Sequence, residues 1–277
     1  MKKSKAVMGI AVLLLMITIT YAYWIVSADK APPFIILSTT TSTQDSGLLD
    51  YLLPSFEEAS GIEVRVVAVG TGAALQMGRD GEADVLLVHA KEDEAVFVAE
   101  GHGIERFDVM YNDFVLVGPT GSKASLEVKQ AGDTEAAFQA IVDNAYTFVS
   151  RGDDSGTHKK EQKLWTKEPS SDWYVSAGKG MGDVLQMANE LQGFTLTDRA
   201  TYLSMQASLD LEVVLEGDPE LLNYYGVIAV DPNKNARINA KGADAFVKWM
   251  LSDETQTLIG AFGTETYGQP LFFPNAK

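Results

Sequence analysis

Tyr146-Thr147-Phe148-Val149-Ser150-Arg151-Gly152-Asp153-Asp154-Ser155-Gly156-Thr157-His158-Lys159-Lys160 is the stretch against which the rest of the chain is read. Tyr146 to Val149 is aromatic and β-branched and closes on a turn signal, the pattern of a buried strand end. Past Ser150 the chain turns polar and glycine-containing, and a helix is predicted from Thr157 through Leu164 and Trp165. A strand, a short Gly/Ser/Thr loop and a helix start bring several unpaired backbone N–H groups to one point, where the helix dipole adds partial positive charge. Arg151 adds a planar fork of donors. Asp153, two residues on, is placed to pin that fork, so less side-chain entropy is lost on binding. Ser155 and Thr157 supply hydroxyls, and Gly156 lets the backbone approach closely. Together these are the means to hold an oxyanion. The plainer reading is a helix capped by Asp154 or Ser155 beside a surface ion pair.

A second stretch favours the first reading. Phe34-Ile35-Ile36-Leu37 is an apolar run suited to a strand buried on both faces, and Ser38 to Thr43 is six hydroxyl residues in a row, predicted as a loop. An amphipathic helix from Gly47 to Ser60 follows, with Leu48, Leu49, Leu52, Leu53 and Phe56 on its apolar face and Pro54 as a potential break. Six hydroxyls exceed what one helix cap uses, which favours ligand contact. A third such junction is Gly70-Thr71-Gly72, between a strand over Glu63 to Val69 and a short helix from Ala73 to Arg79. It lacks the third glycine of a dinucleotide fingerprint. A fourth is Gly178-Lys179-Gly180-Met181-Gly182, opening a helix to about Gln192. The strand Ala83 to Val88 ends at His89, and a lone histidine there reads as structural.

Strand and helix alternate throughout, so the predicted class is α/β with mostly parallel sheets, ligands binding at the strand C-terminal ends. Residues 120–134 are polar and suggest a boundary. The strands Phe114 to Val117 and Tyr224 to Val230 are placed to cross between two lobes, 29–117 with 226–277 and 118–225. The Thr-rich and Gly70 junctions fall in the first lobe and the Arg151 and Gly180 junctions in the second, so all four would line a cleft.

Composition narrows the function further. The chain has 277 residues, 46% hydrophobic and 22% charged, with a net charge of −16. That balance argues against a nucleic-acid partner but not against a small anion held by local donors. There is no cysteine, hence no disulfide, thiolate nucleophile or Cys-bound zinc, and only three histidines, His89, His102 and His158, so no metal site is expected. Asp231, Asn233 and Asn235 mimic a calcium loop, but Ala236 and Gly242 stand where Gly and Glu are required, so the segment reads as a turn. Residues 1–28 stand apart: Lys2, Lys3 and Lys5 precede an apolar run from Ala6 to Val26, and Val26-Ser27-Ala28 resembles a cleavage site. A cleaved export signal and a retained N-terminal membrane anchor both fit, and both place the remainder outside the cytoplasm.

Thr39-Thr40-Thr41-Ser42-Thr43-Gln44-Asp45-Ser46-Gly47-Leu48-Leu49 and Ser150 to His158 resemble the two signature stretches of the tungstate-binding proteins of ABC transporters (the TupA type). Val69-Gly70-Thr71-Gly72, Gly180-Met181-Gly182 and Phe194-Thr195-Leu196-Thr197-Asp198-Arg199 fit the same pattern, and the likeness spans nearly everything after residue 33. Arg151 to Thr157 is also similar to the anion grip of phosphate-binding periplasmic proteins. The resemblance implies a two-lobed periplasmic binding protein-like fold of type II. It implies oxyanion contacts at Thr40, Thr41, Ser42 and Thr71 in the first lobe and at Arg151, Ser155, Gly156 and Thr157 in the second. Thr39, Met181 and Gly182 are further candidates, and Asp153 orients Arg151. It also implies a tungstate ligand, a membrane permease as partner, no cofactor, no catalysis and no nucleic acid, with a monomer as the default.

The alternatives within the fold are molybdate and phosphate. A serine-type hydrolase built on Ser155, His158 and Asp153 is the rival from another class, but it lacks a Gly-x-Ser-x-Gly elbow. Arg151-Gly152-Asp153 also spells an adhesion tripeptide, although the loop explains each of its residues better. A fully deprotonated dianion donates nothing, so a carboxylate of Asp153 or Asp154 turned into the cleft would favour phosphate.

Overall fold

A computed structural model describes residues 33–153 and 155–276; the segment 1–28, expected to be an export signal or an anchor, and Asp154 lie outside the described residues. The apolar run at Phe34 becomes β1 (Phe34–Thr40), flanked by β2 (Glu63–Val69) and β3 (Val85–Val88), both parallel to it. α1 (Thr41–Asp45) and α2 (Leu48–Ser60) make the first crossover and α3 (Thr71–Arg79) the second. α4 (Lys91–Ala99) follows β3 and leads to β4 (Gly103–Pro119). β9 (Leu222–Val230) returns antiparallel between β3 and β4, and β10 (Phe273–Pro274) closes the edge on β4. Pairing is therefore mixed rather than mostly parallel. Parallel neighbours occur where helices carry the chain back across the sheet, whereas the long strands β4 and β9 run out to the second lobe and back.

β4 serves both lobes. Its first part pairs with β9 up to Asp113, opposite Leu222. From Phe114 onward it pairs with β7 (Thr195–Asp198) and β8 (Leu211–Leu215), both antiparallel. Between them lie α5 (Lys123–Gln130), α6 (Thr134–Asn144), β5 (Phe148–Ser150), α7 (Gly156–Leu164), β6 (Tyr174–Ser176) and α8 (Met181–Leu191). β5 and β6 form a small parallel sheet, joined to the rest by a bridge between Phe148 and Phe194. α9 (Arg199–Met205) follows β7, capped by Asp198, whose Oδ1 accepts from the Thr201 amide. α10 (Ala240–Met250) and α11 (Asp253–Ala261) complete the first lobe.

The cores follow the pleat. Ile35 and Leu37 of β1 face Leu49, Leu52, Phe56, Phe246 and Met250, whereas Ile36 faces the layer of Leu75, Leu86 and Phe97. Each fully buried side chain of this size contributes about 1.5–3 kcal/mol of transfer free energy. Pro54 does not break α2, because it sits exposed on the solvent side while the apolar face stays continuous. In the second lobe Phe114 and Leu116 pack on Phe138, Phe148 and Trp173. Val115 and Val117 face the other way, onto Val184, Leu185 and Tyr202.

Two expectations are corrected here. The hydroxyl run is not a loop: Ser38 to Thr40 complete β1 and Thr41 opens α1, with Thr40 Oγ1 accepting from the Thr43 amide at 3.3 Å. Residues 120–134 hold a helix not expected from their sequence, α5, which Ser122 caps. That helix buries only Ser125 and Val128, too thin a stripe to stand out in the sequence.

Candidate functional site

The junction at Arg151 is built from beneath. Ser150, 1% exposed, accepts from the Gly152 amide at 3.2 Å and donates to Glu161 Oε2 at 2.5 Å. Glu161 is itself buried, and its Oε1 accepts from Trp165 Nε1 at 2.9 Å and the Tyr174 hydroxyl at 2.8 Å. One carboxylate thus ties the end of β5, β6 and α7 together through three neutral donors. Burial pushes the Tyr174 hydroxyl up to about 12, so it stays a donor at neutral pH. Gly152 has φ +60°, and a Cβ there would lie 2.0 Å from Ser176 Oγ, so only glycine fits the turn.

On this base sits the ion pair of Arg151 and Asp153. Asp153 Oδ2 accepts from Arg151 Nη2 at 2.5 Å and from Nε at 3.1 Å, while its Oδ1 accepts from the Ser155 amide at 3.2 Å. Partial burial pushes the Asp153 carboxyl up, but the hydrogen bonds from Ser155 and Arg151 outweigh it and hold the group below its ordinary value. The carboxylate is thus turned to its own loop. Ser155 caps α7, its Oγ accepting from the His158 amide at 3.3 Å. The His158 ring meets Gln162 Nε2 at 3.1 Å. Gly156 opens α7 with its face exposed, and Thr157 is buried behind it.

The first lobe presents its groups at the ends of β1 and β3. Side chains alternate along β1. Thr39 faces inward and donates to the Leu87 carbonyl at 2.6 Å. Thr40 Oγ1 lies 3.1 Å from Ser42 Oγ, 2.7 Å from Thr43 Oγ1 and 3.1 Å from His89 Nε2. Ser42 Oγ also lies 3.4 Å from that ring nitrogen, and Thr41 and Ser42 are exposed on α1. His89 Nδ1 meets Asn223 Oδ1 at 3.1 Å, and the ring packs on Tyr225 with centroids 4.8 Å apart. Loss of water around the ring lowers its pKa to about 4, so it is neutral at physiological pH.

The two lobes meet at this ring. A Cβ on Gly156 would lie 3.5 Å from His89 Cε1, so the start of α7 abuts the group that Thr40 and Ser42 share. Thr40, Ser42 and Gly156 are thereby brought together, and His89, read from the sequence as structural, stands among them. A single histidine at a strand end gives no signal of that placement. Thr71 is half-buried at the start of α3, whose cap is Gly70 without a side-chain bond; α8 likewise starts from Gly180. Met181 is buried in the second-lobe core and Gly182 faces Met205, so these two offer backbone rather than side chain. Among the described residues no group of three or more His, Asp or Glu side chains could ligate a metal ion.

Comparison with known proteins agrees with this architecture. A family profile described as a PBP superfamily domain matches residues 26–254. The tungstate-binding protein TupA of Peptoclostridium acidaminophilum is 59% identical over 254 residues, spanning 91% of this chain and 89% of that protein. The solved structure of the tungstate-binding protein TupA from Desulfovibrio alaskensis G20 is 45% identical, covers 88% of this chain and 100% of its own, and superposes with a TM-score of 0.82. That of the tungstate ABC transporter protein from Geobacter sulfurreducens is 44% identical, covers 83% and 98%, and gives 0.72. The chain belongs to the PBP superfamily of two-lobed binding proteins and, within it, to the family of the TupA tungstate-binding proteins.

Proposed function

We propose that the chain captures the tungstate dianion outside the cytoplasm and delivers it to the permease of an ABC transporter. The observation that carries this reading is the meeting of the α7 start with the Thr40–Ser42–His89 cluster, on the same junction whose Arg151 is oriented by Asp153. Every group offered there to an anion is a donor: the hydroxyls of Thr40, Thr41, Ser42, Thr71, Ser155 and Thr157, the Arg151 fork, and the amides of Gly156, Met181 and Gly182. Thr39 acts one step behind, holding β1 to β3. Such a set suits an anion that carries no proton of its own. The Asp153 carboxylate is engaged by Arg151 and Ser155, which counts against its serving phosphate as an acceptor.

Capture needs no covalent step. The lobes, 29–117 with 226–277 and 118–225, close by a hinge on β4 and β9, and the closed form is what the permease reads. A change of partner on β4 supports two lobes, and it falls between Asp113 and Phe114, so Phe114 to Val117 pack with the second lobe. The protein acts as a monomer without a cofactor, exported or tethered by residues 1–28. No helix among the described residues is long and apolar enough to cross a membrane.

Isothermal titration of the full-length chain with tungstate, molybdate, sulfate and phosphate tests the ligand. Tight tungstate binding with weak or no response to sulfate and phosphate is the expected outcome. Preference for phosphate would reassign the ligand while leaving the site, and equal affinity for molybdate would broaden it. Binding of none of the four would end the reading of these junctions as an anion cradle.

A further inference from the structure

An oxyanion cradle of donors leaves one group unexplained, the imidazole of His89. The direction of each bond to it follows from its neighbours. Asn223 Nδ2 donates to Asn112 Oδ1 at 2.8 Å, which turns Asn223 Oδ1 toward His89 Nδ1, 3.1 Å away. An amide oxygen only accepts, so Nδ1 carries the ring proton and Nε2 of the neutral ring presents a lone pair. Thr40 Oγ1 at 3.1 Å and Ser42 Oγ at 3.4 Å are the hydroxyls that face it, so before an anion binds this one lone pair competes for their protons, Thr40 being the nearer. An incoming dianion needs those same protons, and each hydroxyl has only one. If both turn to the anion, Nε2 is left facing oxygen lone pairs. A proton on Nε2 restores the contacts with donor and acceptor exchanged.

We propose that His89 takes up one proton as the cleft captures its dianion, and that this uptake releases the Thr40 and Ser42 hydroxyls from the ring to the anion. The inference rests on the oxyanion reading of the cleft. The proton comes from solvent or buffer and goes to Nε2, and no covalent bond to the anion forms. The other groups against the ring are Asn223 and Tyr225 of β9, Asn112 of β4 behind Asn223, and Gly156 of α7. None of them carries charge, since burial pushes the Tyr225 hydroxyl well up. The Asn223 bond favours the charged ring, but burial outweighs it, and no charged group in contact with the ring tips that balance until an anion arrives. Burial keeps the empty-state ring neutral down to about pH 4. The bound dianion raises that value, and by linkage a raised proton affinity on binding means tighter binding as pH falls.

The test is titration of the full-length chain with micromolar sodium tungstate at about pH 6, in MES and in Bis-Tris, whose ionisation heats differ. Wild type is expected to show buffer-dependent heats corresponding to proton uptake, with affinity falling by up to about tenfold per pH unit on raising the pH. His89→Gln should bind tungstate with equal heats in the two buffers and a flat pH profile. Asn223→Asp places a carboxylate at Nδ1, favours a charged ring before binding, and should shrink the uptake; it decides the question if the glutamine variant does not fold. Equal heats in wild type, or undiminished uptake in His89→Gln, would overturn the inference while leaving tungstate capture intact. Absence of tungstate binding to wild type would remove both.

Discussion

Arg151 is useful because Asp153 has already chosen its orientation, at 2.5 and 3.1 Å. Removing it in Arg151→Ala should cost tungstate about 1.5–3 kcal/mol, or roughly ten- to 150-fold in affinity, with little change in melting temperature. Arg151→Lys should recover only part of this, because a point charge cannot replace the planar fork. Asp153→Ala should weaken binding too, by freeing the fork. The Asp153 carboxyl is held below its ordinary value, so its contribution to loop stability is full above the unfolded value of about 4 and fades as pH falls through the folded one. Tungstate affinity should therefore owe none of its change near neutral pH to Asp153, a point that titrations of Asp153→Asn across that range would check. The Arg–Asp pairing is legible in the sequence because both partners sit on one short loop. The choice among Thr39, Thr40 and Thr41 is not, since it depends on strand register, and register also commits Thr39 to Leu87. His89 is not legible either, because its partners Thr40 and Asn223 lie 49 and 134 residues away in the chain.

At the scale of the element, the β5–α7 junction is fixed by what lies under it. Gly152→Ala would drive a Cβ to 2.0 Å from Ser176 Oγ at φ +60°, so the loop must shift. We expect a loss of about 1–3 kcal/mol in denaturant unfolding together with weakened tungstate binding. Glu161→Ala strands the donors of Ser150, Trp165 and Tyr174 and should cost about 3 kcal/mol or more of stability. Glu161→Gln keeps one acceptor oxygen and should cost less. Equal melting temperatures for the two variants would contradict this account of the junction. Of the elements, α2 and the strand at Phe34 are plain in sequence because their apolar patterns are strong. α5 is hidden by its thin stripe, and the hydroxyl run misleads because a Ser/Thr segment can finish a strand as well as form a loop. The mixed pairing is hidden for another reason: apolar runs tell that a strand is buried but not which way its neighbour points.

Across the whole molecule, the lobes are joined where β4 changes partners, and a clamp marks that place. Arg199 at the start of α9 donates from Nε to Asp113 Oδ1 at 2.8 Å and from Nη2 to Oδ2 at 2.5 Å, and also meets Glu216 at 2.7 Å. Asp113 is the last residue of β4 to pair with β9, and its carboxylate holds the Arg199 guanidinium firmly charged. Arg199→Met should leave Asp113, 5% exposed, without its partner and alter the balance of open and closed forms. Small-angle scattering with and without tungstate would register that as a changed difference in radius of gyration between the two states; an unchanged difference would make the clamp a local brace. Two lobes and their cleft are foreseeable from the order of elements. The identity of the residues at the crossover is not, because a clamp of residues 113, 199 and 216 is assembled only by the fold. The central claim is that one anion is held where the start of α7 meets the Thr40–Ser42–His89 cluster. Crystals of the tungstate complex, measured for the anomalous signal of tungsten, test it most directly. The account requires one strong peak within hydrogen-bond reach of the Ser42 hydroxyl, the Gly156 amide and the Arg151 fork. A peak in the depression lined by His158, Gln162 and Trp165, or none between the lobes, would contradict it.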